Sequence, residues 1–432
     1  MPSHPGGLAV VMLALGVVRA ADLSAQDTQR RPAAAPRCRT SALRREPLRV
    51  EGGRRLYVEP SALVGSGEET LLAGTPTYLW RRDRRGMLPE LERRDSLVGA
   101  VIPRRGNAKG VTAPLPGRPL RFVRAGERAR GAWTIAFAEL DEAVRNPADE
   151  RVLKLWSGDH DGRRWSNLAP LPIPPGWTPQ TLEPTPVATK GDSMVWAFPA
   201  QSQDRRDGLI VFTRAGGTWR ADTLVTPGFS GTGAAYVEGL GFALVVAQFD
   251  YRSPGARPSV ALYARSPDWR EIARLTGPGE MRLRDPSITA GGSRPPATGW
   301  MTLETDEVTT RQSLRVRLGA LSLGAAAPAL TFDSSAVDYA LQQRADGWVF
   351  ALVHHMQARP EERPALRLAA ASPRSEPQLL FDIPTPFTGG FALRAAGTDL
   401  LIAGAAMGTT EREPFITTLL LRTHITCDDA GK

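Results

Sequence analysis

Residues 208–227 read GLIVFTRAGGTWRADTLVTP: an apolar run, a turn with two Gly residues, a Trp and a second run that mixes polar and apolar residues. Two strand-forming runs around a short Gly-containing turn are typical of a β-hairpin. The same arrangement recurs in RVLKLWSGDHDGRRWSNLAPLP from Arg151 and in SVALYARSPDWREIARLTGP from Ser259. A hairpin that recurs about every 50 residues, with no helical periodicity between its copies, predicts an all-β protein of the β-propeller class.

Fainter copies of the hairpin bring the number of repeats to seven. Their anchors are separated by 50 to 58 residues and stand at positions 97, 151, 209, 260, 314, 366 and 416. Two further candidate strands precede each hairpin, which gives the four short strands of a propeller blade. Because a single blade cannot bury both of its faces, the repeats must stack around an axis. We therefore predict a seven-bladed β-propeller, with a six-bladed ring as the alternative.

The amino-terminal segment predicts export. Residues 8–18 form an apolar run, and small residues follow near 20 and 25. A run of about eleven apolar residues matches the core of a signal peptide and is too short to span a bilayer. No Lys or Arg precedes residue 8, so an uncleaved anchor or a different start stays open as the alternative. The predicted organisation is a signal peptide at 1–25, a disordered Pro/Ala-rich leader at 26–37 and a single propeller domain at 38–432. We expect the mature chain to have no transmembrane segment and to be periplasmic or extracellular.

Cysteine usage favours the same compartment. The chain has two Cys residues, Cys38 and Cys427, at opposite ends of the predicted propeller. An isolated pair in an oxidising compartment is expected to form a disulfide. The last repeat ends after its third strand, so we predict that a strand near residues 48–50 or 55–58 supplies the fourth and closes the ring. The disulfide would then replace the turn between these two strands; two unpaired thiols are the alternative.

The composition argues against a nucleic-acid partner. Lys and Arg number 54 against 45 Asp and Glu, a formal net charge of +9, but only four of the basic residues are Lys and the Arg residues are spread over every repeat. No basic run alternates with aromatic residues as a stacking groove requires. The sequence also lacks a recurring acidic calcium loop, a Gly-rich phosphate loop and a Ser in a nucleophile elbow, so we predict no cofactor. A monomer is expected.

Two of the hairpin turns resemble the Asp-box of sialidase-like β-propellers, Ser-x-Asp-x-Gly-x-Thr-Trp. Residues 213–219 (TRAGGTW) keep the Gly, Thr and Trp spacing but have Arg214 in place of the Asp, and residues 157–165 (SGDHDGRRW) are one residue too long between Asp159 and Trp165. In that family the Asp caps the hairpin turn and the Trp packs between blades. The resemblance therefore implies the fold and not an activity.

A sialidase-type enzyme would need three Arg residues on a substrate carboxylate, a Tyr nucleophile beside a carboxylate and an Asp acid/base at the ring centre. The candidates in predicted inner strands are Arg284 and Asp285 in LRDPSIT, Tyr236 and Glu238 in GAAYVEG, and Asp338 and Tyr339 in VDYAL. Strand alternation puts Tyr236 and Glu238 on one face. The alternatives are a structural salt bridge for Arg284 with Asp285 and a non-catalytic channel lining for Tyr236 with Glu238. The Phe/Tyr-Arg-Ile-Pro segment expected of sialidases is absent.

His354 and His355 are the only adjacent histidines. Neighbouring residues of a strand face opposite sides, so the two cannot bind one metal ion without a bulge, and no metal site is predicted. One of them is a candidate binding residue that faces the channel and titrates near neutral pH. A histidine packed in the core is the alternative.

The leading functional prediction is a binding or scaffold propeller for an unidentified glycan, peptide or protein ligand. It rests on what propellers commonly do, so it follows from the fold alone. The alternative is a sialidase-like glycoside hydrolase. At least two Arg residues and a pair of carboxylates around one pocket at the ring centre would favour the hydrolase.

Overall fold

The computed structural model describes residues 37–50, 53–75, 77–81, 90–93, 97–141, 151–250, 253, 255–265, 268–277, 281–292, 294–305, 310–318, 330–332, 336–355, 363–373, 375–388, 390–407 and 416–428. They belong to one compact unit, Pro36–Lys432. The predicted signal peptide, 1–25, and residues 26–36 of the predicted leader lie outside the described residues. In the described part of the chain, no helix has the length and apolar character needed to cross a membrane.

The described strands begin at the edge of the last blade and then build blades 1 to 3. The first three strands are β1 (Cys38–Thr40), β2 (Arg44–Pro47) and β3 (Leu56–Val58). Blade 1 begins with β4 (Ala62–Val64) and β5 (Glu69–Ala73), is interrupted by β6 (Thr77–Arg81) and β7 (Glu90–Arg93), and ends with β8 (Leu97–Pro103) and β9 (Lys109–Thr112). Blade 2 contains β10 (Leu120–Ala129), β11 (Ala132–Leu140), β12 (Val152–His160) and β13 (Trp165–Pro170). Blade 3 contains β14 (Trp177–Pro179), β15 (Ala188–Lys190), β16 (Ser193–Ser202), β17 (Asp207–Ala215) and β18 (Thr218–Val225).

Blades 4 to 7 complete the ring. Blade 4 contains β19 (Phe229–Val237), β20 (Gly241–Gln248), β21 (Ser259–Arg265) and β22 (Trp269–Thr276). Blade 5 contains β23 (Met281–Thr289), β24 (Ala297–Thr305), β25 (Thr310–Leu318) and β26 (Leu330–Phe332). Blade 6 contains β27 (Ala336–Gln343), β28 (Val349–His355), β29 (Ala365–Ser372) and β30 (Ser375–Pro384). Blade 7 contains β31 (Phe391–Ala396), β32 (Asp399–Met407), β33 (Ile416–Cys427) and, on its outer edge, β1 and β2.

The inner strands close a ring. β4, β10, β15, β19, β23, β27 and β31 contact one another in that order, and β31 contacts β4 again. Strands within each blade pair antiparallel, and β6 and β7 form a separate three-stranded sheet with β3. The seven-bladed propeller is thus confirmed, and the six-bladed alternative is wrong. Each predicted anchor falls in, or one residue before, the third strand of a blade.

Burial explains why the third strands carried the clearest sequence signal. β17 is buried over seven consecutive residues, because neighbouring blades cover both of its faces. Its outer neighbour β18 (TWRADTLV) is solvated and contains no fully buried residue. The apolar core lies between successive blades, where Trp133, Trp196 and Trp348 have no exposed surface. Blade-to-blade packing is therefore the main source of apolar burial.

The seventh blade is closed by both ends of the described chain. β33 pairs with β1 in a register that sets Cys38 opposite Cys427, and the two form a disulfide with Cα atoms 3.9 Å apart. The predicted disulfide is confirmed at the predicted place, where a turn joins the third and fourth strands of other blades. The backbone of Arg37 extends the pairing through hydrogen bonds with Asp428.

The strand that closes the blade differs from the prediction. Residues 48–50 and 55–58 were expected there, but β1 and β2 occupy the edge of β33 instead. The physical reason is burial. Leu48 and Leu56 are 1% and 0% exposed in a core between blades 7 and 1, whereas the outer edge is solvated and accepts the polar sequence of β2.

The Asp-box-like turn of blade 2 is capped by a different Asp from the one that matches the motif. The Asp161 carboxylate accepts hydrogen bonds of 2.9 Å from the backbone N–H groups of Arg163 and Arg164. This is the side-chain cap that stabilises short turns. The capping residue lies two positions after Asp159, which leaves Asp159 for another contact.

Asp159 instead forms a buried ion pair between blades 2 and 3. Its two carboxylate oxygens accept hydrogen bonds from Arg214 Nη1 and Nη2 at 2.7 and 2.9 Å. The carboxylate also accepts from Thr134 at 2.6 Å and Asn167 at 2.8 Å, and Arg128 Nη1 lies 3.5 Å away. Burial by itself would raise the pKa of Asp159, but the hydrogen bonds from Arg214, Asn167 and Thr134 outweigh burial and lower it to about 2. The Arg that replaces the Asp of the second motif is thus the partner of the Asp in the first.

Candidate functional site

A cavity of about 760 Å³ opens on the ring axis. We call it the axial pocket, and it is lined by residues from all seven blades, among them Ser61, Arg121, Glu183, Thr232, Asp285, Asp338 and Phe391. Most of these residues lie on or next to the first strand of their blade. A cavity of this size falls within the usual range of small-molecule sites, about 300–1,000 Å³. The axial pocket is therefore the candidate site.

The inner strands are irregular at the level of the axial pocket. The strand register shifts within four of them: β10, β19, β23 and β27. Phe122 and Asp285 have positive φ angles of 54° and 47°, which are uncommon for residues other than Gly. A bulge turns side chains away from the regular alternation of a strand. Successive residues of one strand, such as 285–287, therefore line the same cavity.

One side of the axial pocket is formed by blades 5 and 6. Arg284 Nε lies 3.4 Å from a carboxylate oxygen of Asp285, and the Tyr339 hydroxyl donates a hydrogen bond to the backbone carbonyl of Asp285. Asp338 accepts a hydrogen bond of 2.7 Å from the backbone N–H of Tyr339. Burial raises the pKa of Asp285 against the opposing charge of Arg284. Burial also raises the pKa of Asp338, to about 6, although the Tyr339 N–H opposes the shift.

The other side is formed by blades 1 to 3. Arg124, whose side chain is 12% exposed, donates a hydrogen bond to the Glu183 carboxylate. Glu59 and Arg121 also line this side. Burial raises the pKa of Glu59, the charge of Glu183 raises it further and Arg121 lowers it. Both sides thus offer carboxylates, but of the residues that the structure describes, the Arg side chains that line the cavity are on this side.

The residues of blades 1 to 3 that line the axial pocket were not predicted from the sequence. They lie outside the recurring hairpins, and the segment with Glu183 lies between two short strands, so no motif marks them. The position of Arg121 in its strand was nevertheless a usable signal. Arg121 in LRFVRA stands just before the bulge in the first strand of blade 2, the same place that Arg284 in LRDPSIT occupies in blade 5.

Of the predicted site residues, Asp285 and Tyr339 line the axial pocket. Arg284 does not line it but contacts Asp285. Tyr236 and Glu238 lie further along β19 and in the turn that follows it, and they do not line the cavity. Lys190 Nζ is 3.0 Å from a Glu238 carboxylate oxygen and 4.8 Å from the centre of the Tyr236 ring.

His354 and His355 lie in β28 with 8% and 4% of their surface exposed, and they face different neighbours. The His354 ring packs against Phe391, a wall residue of the axial pocket, at 6.2 Å, and the His355 ring lies 6.3 Å from Phe332. Burial lowers the pKa of His354. Neither His lines the axial pocket. In the described residues, no three His, Cys, Asp or Glu side chains are grouped so that they could hold a metal ion.

The fold and the cavity together define a seven-bladed β-propeller with a polar pocket on its axis. No protein-family model and no curated protein sequence matches this chain. Similar solved structures include a protein of unknown function from Dyadobacter fermentans, at 11% identity over 89% of this chain and 99% of that chain, with a TM-score of 0.47. A Hadza microbial sialidase is 14% identical over 69% of this chain and 63% of that chain, with a TM-score of 0.43. A Penicillium chrysogenum α-L-arabinanase is 14% identical over 71% and 94%, with a TM-score of 0.42. The resemblance to sialidase-like propellers is confirmed as a likeness of fold alone.

Proposed function

We propose that this protein is a binding propeller that holds a carbohydrate in the axial pocket. The observation that carries the proposal is the cavity itself: about 760 Å³, on the axis, with walls from every blade. Carboxylates and Arg side chains in the walls can exchange hydrogen bonds with sugar hydroxyls. Phe122, Tyr339 and Phe391 add aromatic surface for the apolar face of a sugar ring. We also propose that the protein acts in an oxidising compartment after export, because the Cys38–Cys427 disulfide is stable there.

Several contacts favour binding over sialidase-like hydrolysis. Arg124 is paired with Glu183 and so is less available to a substrate carboxylate. The Tyr339 hydroxyl hydrogen is engaged by the backbone oxygen of Asp285. Burial and the nearby charges of Asp285 and Asp338 raise the pKa of Tyr339, which disfavours an ionised nucleophile. The Arg residues and carboxylates that would favour a hydrolase are present, but in this arrangement they neutralise one another in part.

One observation keeps glycoside hydrolysis as the second candidate. Asp338 has a pKa of about 6, so it is partly protonated near neutral pH, as a general acid must be. The test is a panel of chromogenic glycosides. Turnover by the wild type that disappears in Asp338→Asn would establish a hydrolase.

Binding is tested with a pocket-filling variant. A Cβ atom at Gly390 would meet nothing closer than a Pro60 backbone oxygen at 3.7 Å, so Gly390→Trp places a large side chain in the axial pocket with little backbone strain. The control is Glu238→Trp, which adds the same side chain outside the axial pocket. Calorimetry with neutral, anionic and cationic oligosaccharides should show that at least one of these classes binds to the wild type and to the control, and that none binds to Gly390→Trp. Equal binding by both variants, or no binding to any of the three sugar classes, would refute the proposal.

A further inference from the structure

We propose that the axial pocket selects a carbohydrate that carries a primary ammonium group, held between the carboxylates of Asp285 and Asp338. This inference rests on the proposed function and adds the chemical class of the ligand. It sets this pocket apart from sites built for acidic sugars.

The charge of the cavity is the first argument. Among the described residues, its walls contain four carboxylates, from Glu59, Glu183, Asp285 and Asp338, against two guanidinium groups, from Arg121 and Arg124. The protein as a whole has a net charge of +9. An acidic cavity in a basic protein reflects local placement and not overall composition. Because low-dielectric walls strengthen the field of the charges that line a cleft, a cation is attracted to this cavity and an anion is repelled.

The position of the unbalanced charge is the second argument. Glu183 already has Arg124 as a partner, and Asp285 has Arg284 at 3.4 Å. Within the described part of the chain, Asp338 receives a hydrogen bond from the Tyr339 N–H, and no Lys, Arg or His forms an ion pair with it, although the charge of Arg284 acts on it from a greater distance. The blade 5 and 6 side of the cavity thus has a carboxylate with free acceptor capacity.

The geometry favours an ammonium group. Asp285 and Asp338 come from the adjacent inner strands β23 and β27, and the charge of Asp285 is close enough to raise the pKa of Asp338. An ammonium group is a compact cation with three donors, so it can bridge two neighbouring carboxylates. Burial raises the pKa of both groups, and the charge of Arg284 opposes the rise without cancelling it, so their charged forms are only partly compensated. A bound ammonium would supply that compensation.

The experiment compares three ligands that differ at one position. Methyl 6-amino-6-deoxyglucoside, methyl glucoside and methyl glucuronide carry an ammonium, a hydroxyl and a carboxylate on the same ring. Ligand-observed NMR titration at pH 7 should give an affinity for the amino sugar at least about tenfold above that for the hydroxyl sugar, and no binding of the glucuronide. An amino sugar that binds no tighter than the other two overturns the inference.

Substitutions test which carboxylate binds the ammonium group. Asp338→Asn keeps the shape of the side chain and should lower affinity for the amino sugar about tenfold while leaving the hydroxyl sugar unchanged. Asp285→Asn should cause a smaller loss, because Arg284 already offsets part of that charge. Asn also tolerates the positive φ at this position. Glu238→Gln, outside the axial pocket, is the control and should bind like the wild type.

Acidification gives an independent readout. Between pH 7 and pH 5 Asp338 takes up a proton, whereas a primary alkylammonium keeps its charge, so affinity for the amino sugar should fall and that for methyl glucoside should not. The inference and the proposed function fail in different ways. Tighter binding of the hydroxyl or carboxylate sugar, abolished by Gly390→Trp, refutes ammonium selection but leaves carbohydrate binding intact. If neither these sugars nor any sugar of the oligosaccharide panel binds, both the inference and the proposed function are refuted.

Discussion

The buried ion pair between blades 2 and 3 allows a quantitative test of what joins the blades. Replacing Arg214 by Met keeps most of the side-chain volume and removes both hydrogen bonds to Asp159, whose side chain is 2% exposed. Breaking a buried pair leaves an uncompensated charge and costs about 3–5 kcal/mol. Arg128 remains 3.5 Å from the carboxylate, so we expect about 3 kcal/mol at pH 7, the lower end of that range.

The same pair predicts a pH dependence. The pKa of Asp159 is lowered from 3.8 to about 2 in the folded protein, which corresponds to about 2 kcal/mol of stabilisation. Because the folded-state pKa lies below the unfolded value, this stabilisation is complete above about pH 4 and is lost as the pH falls through 2. The difference in unfolding free energy between wild type and Arg214→Met should therefore shrink as the pH falls from 4 to 2.

Urea unfolding followed by Trp fluorescence measures both effects. The control is Arg164→Met, which removes an exposed ion pair with Asp161 in the same blade and should leave the unfolding free energy unchanged. A loss below about 1 kcal/mol for Arg214→Met at pH 7 would show that the pair does not join the blades. A loss of the same size at pH 7 and at pH 2 would refute the role assigned to the charge of Asp159.

Three further predictions concern other parts of the ring. Replacing Cys38 and Cys427 together by Ser should lower the unfolding free energy by about 2–5 kcal/mol, and reductant should lower that of the wild type equally but leave the variant unchanged. Gly404→Ala should cost about 1–3 kcal/mol, because the new Cβ would lie 2.4 Å from the ring of buried Phe387; an unchanged melting temperature would contradict the packing described. Asp338→Asn should raise stability by about 1–3 kcal/mol at pH 7 and by almost nothing at pH 4, since a raised carboxyl pKa destabilises the fold above pH 4; no gain at pH 7 would argue against burial of this charge.

The third strands of the blades could be identified from the sequence, whereas the edge strands of blade 7 could not. Third strands such as β17 are covered on both faces and are rich in apolar residues, so the recurring hairpin pattern could locate all seven. The edge strands β1 and β2 are short and largely polar, and nothing in their sequence distinguishes them from a loop. Apolar residues at 48–50 and 55–58 resembled an edge strand more closely, yet their apolar character places them in the core between blades 7 and 1.

The residues of the candidate site could be predicted only in part, for a different reason. Asp285, Asp338 and Tyr339 could be proposed because they are polar residues within predicted inner strands, and all three line the axial pocket. Simple alternation suggested that Tyr236 and Glu238 face the channel, but they lie further along the chain than the stretch of β19 that reaches the cavity. Which residues converge on the axis depends on bulges and on pairing between distant blades. No local pattern contains that information.

The placement of β1 has a consequence for how the chain assembles. Residue 38 pairs with residue 427, 389 positions away, so β1 has no partner until residue 427 has left the ribosome. The intervening blades can form hairpin by hairpin as they are synthesised, because their contacts are local. Pairing of β1 with β33 therefore follows synthesis of the blades between them, and the Cys38–Cys427 cross-link can form only after this circularisation.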